Sequence, residues 1–443
     1  YLSGCAEPGW TAIGLAIGTY LNWLIVAKRL RKYSHKANNS ITIPSFFANR
    51  YRDKSTSLLA ISAIMIVIFF VPYTASGFAA CGKLFANLFG LDYVPAMIIS
   101  AIVIVAYTTL GGFLAASTTD FVQSIVMTLA IIVVFGFGIT KVGSFEAVMA
   151  NAQSMAGYFS LTQIHDAATG TASPYGILTI FSMLAWGLGY CGMPHILVRF
   201  MAVKSEKELK KSSVIAIVWD ILSLTAACFI GIIGRAYLLP TVLGENGASS
   251  SESVFIEMIN KLFSSDLALP FIGGIFLCGI LAAIMSTADS QLLVTASAAS
   301  EDLYHQFIKK DADSKEILTV ARFTVLAVSV VAFIIAWNPN SSIMGLVSNA
   351  WAGLGAAFGP TVVMSLFWRR TNLAGAVAGI VSGGLTVIIW DYIPLVAGQT
   401  LGTYTGLYSL AVGFVVSLVM IVIFSLAAIY FICSMIGILP AGW

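Results

Sequence analysis

The sequence predicts an all-α polytopic membrane protein, and three observations predict it. Hydrophobic residues make up 58% of the chain and charged residues only 10%, where a soluble domain carries about 25% charged residues. Mean hydropathy is +0.92. The apolar residues gather into windows long enough to cross a bilayer, too long and too uniform for barrel strands. Backbone polar groups in hydrocarbon must be satisfied internally, which leaves helices. With 443 residues and this little charge, a soluble enzyme, a disordered chain and a disulfide-stapled secreted domain are excluded.

Eleven spans follow in order, near residues 8–28, 55–80, 94–112, 117–140, 176–198, 212–238, 268–298, 318–337, 342–367, 371–390 and 403–430. The first ends in "AKRLRKYSHK" and fixes the cytoplasmic side. Threading the rest back and forth puts 19 of the 23 Lys and Arg residues on that side, as the positive-inside rule requires. Only Lys83, Lys141, Arg235 and Lys261 fall on or near the other. Two longer connections, 141–175 and 239–267, are predicted to lie outside the cytoplasm and to hold short helices over "SFEAVMANAQSM" and "SESVFIEMINKLF". The whole of 1–443 reads as one transmembrane domain; its opening "YLSGCAEPGW" has no initiator Met, no charged n-region and no signal-peptide pattern, and predicts further chain before Tyr1.

Two spans carry chemistry. In "LAWGLGYCGMPHILVRF" (184–200), Gly187, Gly189 and Gly192 weaken the helix and Pro194 cannot donate to residue 190. Transporters place such breaks at mid-membrane, where freed backbone groups bind ions and solutes. At α-helical spacing Trp186, Tyr190 and Pro194 share a face and would wall a small cavity. Close helix packing is the competing use of the glycines. In "GILAAIMSTADSQLLVTASAASEDLY" (279–304), Ala283, Ser286, Thr287 and Ser290 occupy an arc of about 100°. Hydroxyl and carbonyl oxygens with no soft donor suit a hard monovalent cation such as Na⁺, although Ser and Thr also bond to their own helix backbone. Asp289 borders the arc, and a carboxylate within an apolar span is a functional candidate. Asp120, beside Ser117, Thr118 and Thr119, is either a helix-start acid or a second cation contact on the inward path. Tyr73 lies in another span, where packing is the ordinary role.

Other classes find no support. Net charge is +3 and there is no basic, aromatic platform for nucleic acid. The six cysteines, scattered through apolar stretches without CxxC spacing, read as small buried hydrophobes. No nucleophile elbow, phosphate loop, dinucleotide fingerprint or zinc motif is present, and no stretch is large and polar enough for an ATPase domain. The chain is not read as an enzyme and needs no cofactor; transport energy would come from an ion gradient.

The stretches "GTYLNWLIVAKRLR", "YTASGFAACGKLF", "TLGGFLAASTTDFVQ", "WGLGYCGMPHILVRFMA", "ILAAIMSTADSQLLVTASAASEDLY" and "GLVSNAWAGLGAAFGPTVVMSLFWRR" resemble the sodium/solute symporter family, and most closely its bacterial proline-carrying members, from end to end. The resemblance implies a leucine-transporter-like inverted-repeat core of thirteen helices, of which eleven are visible, about two N-terminal helices being absent. It implies Na⁺ as coupling ion, L-proline as solute, a bilayer of the bacterial cytoplasmic membrane and a functional monomer. It places sodium ligands on Ala283, Ser286 and Thr287, a cation-linked acid on Asp120, and solute contacts on Tyr73, Trp186, Tyr190 and Pro194. Two positions depart from the proline-carrying pattern: Met193 stands where those members have Gln, and Asp289 where they have a small or apolar uncharged residue. The first either alters the polarity met by the solute or repacks a wall; the second either tunes the cation site and path or binds a neighbouring helix. Sister carriers of another small solute, pantothenate or another amino acid, share the ion motif and remain an alternative.

Overall fold

Each apolar window becomes a helix, and the caps, glycines and prolines around it set where it stops. The computed structural model describes residues 1–241 and 251–435. Helix α1 (Ala6–Lys36) passes through a π-helical stretch at Asn22–Ala27. Helix α2 (Ile43–Tyr51) starts on a capping box, in which the Thr42 hydroxyl accepts from the Ser45 N–H at 3.1 Å while the Ser45 hydroxyl faces the Thr42 N–H. Then come α3 (Ser57–Phe89), α4 (Tyr93–Leu114) and α5 (Ala116–Val142). The last two are separated by Gly112 at φ +64° and ψ −173°, a conformation that side chains disfavour.

The connection 141–175 holds a short helix, α6 (Phe145–Ser154), capped by Ser144, and an antiparallel hairpin, β1 (Gln163–Asp166) with β2 (Thr171–Pro174). After it, α7 (Ile177–Gly192) and α8 (Pro194–Ala202) meet at a 46° bend. Helix α9 (Glu206–Tyr237) leads to the second connection, where α10 (Val254–Ile259) runs into a π-helical turn at Asn260–Asp266. Residues 242–250 of that connection lie outside the described residues. The chain ends with α11 (Pro270–Ile308), α12 (Ser314–Ile335), α13 (Ile343–Phe367), α14 (Leu373–Tyr392), the small hairpin β3 (Pro394–Val396) and β4 (Gln399–Thr400), α15 (Leu401–Thr405) and α16 (Ser409–Met435).

Among the described residues ten helices are long and apolar enough to cross a membrane, or eleven when the bent pair α7 and α8 is one span. They coincide with the eleven windows of the sequence. Helix α13 is the centre of the bundle: 83% of its most apolar window is buried, against 17% for α5 and 11% for α9. It packs on α3, α14, α16 and the end of α7, while α11 packs on α5 and α3. The outer helices turn large apolar side chains outward, as lipid-facing helices do, Leu110, Leu114 and Phe271 among them.

Two expectations change. The cysteines are not generally buried: only Cys81 is, Cys278 is exposed, and the other four are half-covered. In a membrane bundle an apolar stretch is satisfied by lipid as well as by core, so apolar context does not imply burial. The second concerns α7. Residues Ala185–Gly192 form a 3₁₀ helix, not an α-helix. With about three residues per turn, Trp186 and Tyr190 no longer share a face by spacing alone, and Pro194 stands beyond the bend.

Candidate functional site

The 3₁₀ segment exists because its glycines let two backbones touch it from opposite sides. A Cβ at Gly192 would lie 2.6 Å from the Leu354 carbonyl oxygen and 2.8 Å from the Gly355 Cα on α13. On the other side Gly187 meets Gly14 and Gly18 of α1, where a Cβ at Gly14 would lie 2.5 Å from the Leu184 carbonyl oxygen. The break is therefore clamped between α1 and α13, and the glycines serve close approach. Asn22, at the π-helical stretch of α1, completes the clamp by donating to the Tyr190 carbonyl at 3.0 Å.

The predicted solute residues fall into two aromatic groups around this break. Trp186 stacks on Tyr408 at 4.8 Å and leans on Trp351 at 6.3 Å, while Tyr190 meets the Trp351 ring edge-on at 5.2 Å. Trp351 Nε1 donates to the Trp186 carbonyl at 2.9 Å, and the Tyr190 hydroxyl points to Asp220 Oδ1 at 3.4 Å. So α13, not helical spacing, brings Trp186 and Tyr190 together. In the second group Tyr73 lies beside Phe70 and meets His195 at 6.2 Å, with Pro194 opening α8 next to His195. Met193, at 0% exposure, fills the corner, and its carbonyl accepts from the N–H groups of Ile196 and Leu197. Of the five predicted solute residues Pro194 alone lines a cavity of about 680 Å³, which His195, Arg199, Asp120, Ser290 and Asp302 also line. Tyr73 and Trp186 are packed at 8% and 7% exposure.

On α11 the oxygen arc is real and self-organised. Ser286 Oγ donates to the Ala283 carbonyl at 3.1 Å and Thr287 Oγ1 donates to the same carbonyl at 3.0 Å. The back-bonding that competes with ion binding is thus present, and it directs the hydroxyl lone pairs away from their own helix. All three residues are half-exposed. One turn on, Ser290 accepts from Arg199 Nη2 at 2.8 Å, and the same nitrogen holds Asp120 Oδ2 at 2.6 Å. Asp120 keeps its other oxygen buried without a partner, and Asp289, at 0% exposure, keeps both. Two carboxylates and a hydroxyl from α5 and α11 are therefore gathered around one guanidinium from α8.

Sequence reasoning found the acids but missed Arg199, Trp351, Tyr408 and Asp220. Arg199 offered a signal, being a charge five residues after the predicted break. Trp351, in "AWAGLGAAFGP", stood in a stretch rich in small residues where a large ring needs a groove. Among the described residues no cluster of three His, Cys, Asp or Glu side chains could hold a metal ion.

A multi-span bundle with a broken helix clamped at its centre, an oxygen arc on α11 and an acid on α5 bridged to that helix by Arg199 defines a membrane transporter and not an enzyme. The chain belongs to the sodium:solute symporter family, whose model matches residues 1–383. It is 44% identical to the high-affinity proline transporter PutP of Bacillus subtilis (strain 168), over 92% of this chain and 81% of that protein. It is 42% identical to the osmoregulated proline transporter OpuE of the same organism, over 94% of this chain and 80% of OpuE. A sodium/proline symporter of Staphylococcus aureus is 42% identical over 93% of this chain and 77% of its own length. Among solved structures, a Na⁺-coupled sialic acid symporter in its substrate-bound, outward-open state superposes with a TM-score of 0.72 at 16% identity, covering 96% of this chain and 87% of that one. The fold is the leucine-transporter-like one expected of the family.

Proposed function

We propose that this protein carries L-proline into the cell together with Na⁺, by alternating access, in the bacterial cytoplasmic membrane. The observation that carries the reading is the 42–44% identity to proteins named as proline transporters and sodium/proline symporters, spread over more than nine-tenths of the chain. The geometry supports it. Na⁺ would sit on the Ala283 carbonyl and the Ser286 and Thr287 hydroxyls; the two hydroxyls, whose protons go to that carbonyl, present lone pairs to a hard cation. Proline would contact Trp186, Tyr190, Tyr73, Pro194 and Met193. Its ring is apolar and small, and the clamped break sets two aromatic groups beside it. Because Trp186 and Tyr73 are packed in this conformation, binding requires them to part. Asp120 and Asp289 would mark a cation path towards the 680 Å³ cavity. The working unit is proposed to be the monomer.

Ion binding contributes to transport only through its different affinity for the two states. An inward potential adds about 2.3 kcal/mol per charge per 100 mV. The test is uptake of labelled proline by proteoliposomes holding the full-length protein. Accumulation is expected with an inward Na⁺ gradient and not with K⁺ in its place. Equal uptake in both, or no uptake of proline while another solute accumulates, would overturn the assignment.

A further inference from the structure

We propose that the corner where α1, α2 and the end of α13 meet binds the headgroup of an anionic phospholipid. Two arginines meet the end of α13 there and two more follow it in the chain. Arg29 Nη1 donates to the Leu366 carbonyl at 3.3 Å, and its guanidinium lies 4.1 Å from the centre of the Phe367 ring. Arg50 Nε donates to the Ser365 carbonyl at 3.3 Å. Arg369 and Arg370 follow two and three residues after the helix ends.

A helix C-terminus leaves carbonyls unmet and bears partial negative charge, which explains why two guanidiniums settle on it. It does not use them up. Each guanidinium has five N–H donors and spends one on a carbonyl. Among the described residues the ion pairs involve none of Arg29, Arg50 and Arg369.

The segments that build the corner are strongly basic, and the nearest acids stand at its edge: Asp53 after α2, and Glu206, which pairs with Lys28 at 3.3 Å. Residues 8–52, 341–390 and 409–435 contain no Asp or Glu. The balance there is positive, and its natural complement is a phosphate, which the planar guanidinium matches in two-point fashion. Arg29 is held by a carbonyl and a ring, so less freedom is lost when a phosphate arrives.

The surroundings select a lipid over a free anion. Ile25, four residues before Arg29, is 41% exposed, Leu24 is 61% exposed and Phe367 is 40% exposed. These give acyl chains an apolar lane running from the guanidiniums along α1. A general bias of basic residues to one membrane face requires no such convergence. The site is separate from the solute and ion groups and leaves their assignment untouched.

Native mass spectrometry of the full-length protein, purified in detergent and titrated with phosphatidylglycerol or phosphatidylcholine, tests the proposal. The wild type should retain phosphatidylglycerol preferentially, and the triple variant R29Q/R369Q/R370Q should lose roughly tenfold or more of that retention, given what each basic residue near a membrane surface contributes. The triple variant K204Q/K207Q/K210Q, which removes as many exposed charges elsewhere, should retain it. Should the first triple variant fail to fold, R369Q serves alone, because Arg369 is exposed and outside the hydrogen bonds and ion pairs of the described residues, and it should still weaken retention several-fold. Equal retention of the two lipids, equal loss in both triple variants, or full displacement by millimolar inorganic phosphate would overturn it.

Discussion

The hydroxyls of Ser286 and Thr287 converge on a single acceptor, the Ala283 carbonyl, at 3.1 and 3.0 Å. Such back-bonding is common for Ser and Thr inside helices and by itself adds little to stability. Its consequence is directional: with the proton committed to the helix, each oxygen faces outward as a pure acceptor. Removing either hydroxyl should therefore touch ion affinity and leave the helix intact, since Ala is the better helix former. S286A or T287A is expected to raise the Na⁺ concentration for half-maximal proline uptake by roughly tenfold, the size of one lost polar contact to a charge. Thermal stability should hardly change, and T287S should behave as wild type. Unaltered Na⁺ dependence in both alanine variants would remove these residues from the ion site.

At the scale of elements, α13 is held at both ends by charge. Its C-terminal carbonyls meet Arg29 and Arg50. At its N-terminus Glu252, from the connection before α11, accepts from the Ile343 N–H at 3.0 Å, from the Ser342 hydroxyl at 3.2 Å and from Lys83 Nζ of α3 at 2.7 Å. Burial acts to raise the Glu252 pKa, but the Lys83 hydrogen bond and charge with the Met344 N–H outweigh it, and the pKa is held below its ordinary value. A lowered carboxylate pKa contributes stability that is complete above the ordinary value and lost as pH falls through the folded one. E252Q should thus cost roughly 1 kcal/mol near neutral pH, a figure reduced for partial exposure. Its difference in melting temperature from wild type should shrink as the buffer falls below pH 4.5, the ordinary value for the group. A difference independent of pH would mean that the carboxylate charge is not what caps α13.

The same elements show what could be read in advance. Every span was legible, because a hydrocarbon core demands long apolar helices and glycine with proline announces the break at 187–194. The form of that break was not legible. The 3₁₀ geometry of 185–192 is imposed by Gly14 and Gly18 of α1 and by Leu354 and Gly355 of α13, which lie more than 150 residues away in sequence. Likewise the arc on α11 was readable from a 3.6-residue period, whereas the Arg199 bridge between Asp120 and Ser290 joins three helices and leaves no local pattern. The hairpin of β1 and β2 also escaped notice, since its four-residue strands are mostly exposed and carry no alternating apolar signal.

For the whole molecule, one ambiguity decides the topology: whether α7 and α8, bent by 46°, cross the bilayer as one span or return to the side they came from. The charges answer. If the pair crosses, the basic groups at Lys28–Lys54, Arg199–Lys211, Lys309–Arg322 and Arg369–Arg370 all share one face, 19 of the 23 Lys and Arg residues. If it returns, the groups from Arg199 onward move opposite to Lys28–Lys54, and the bias collapses. The packing agrees, because the break is clamped between α1 and the central α13, at the depth where a spanning helix would be gripped. The argument predicts single-cysteine labelling in a chain whose native cysteines are replaced. K36C and K310C should react with a membrane-impermeant maleimide in inside-out vesicles alone. N151C should react in right-side-out vesicles alone. K310C is the decisive position, since it follows α11: labelling from the same side as N151C would make α7 and α8 a re-entrant pair and reverse the orientation of every helix from α9 onward.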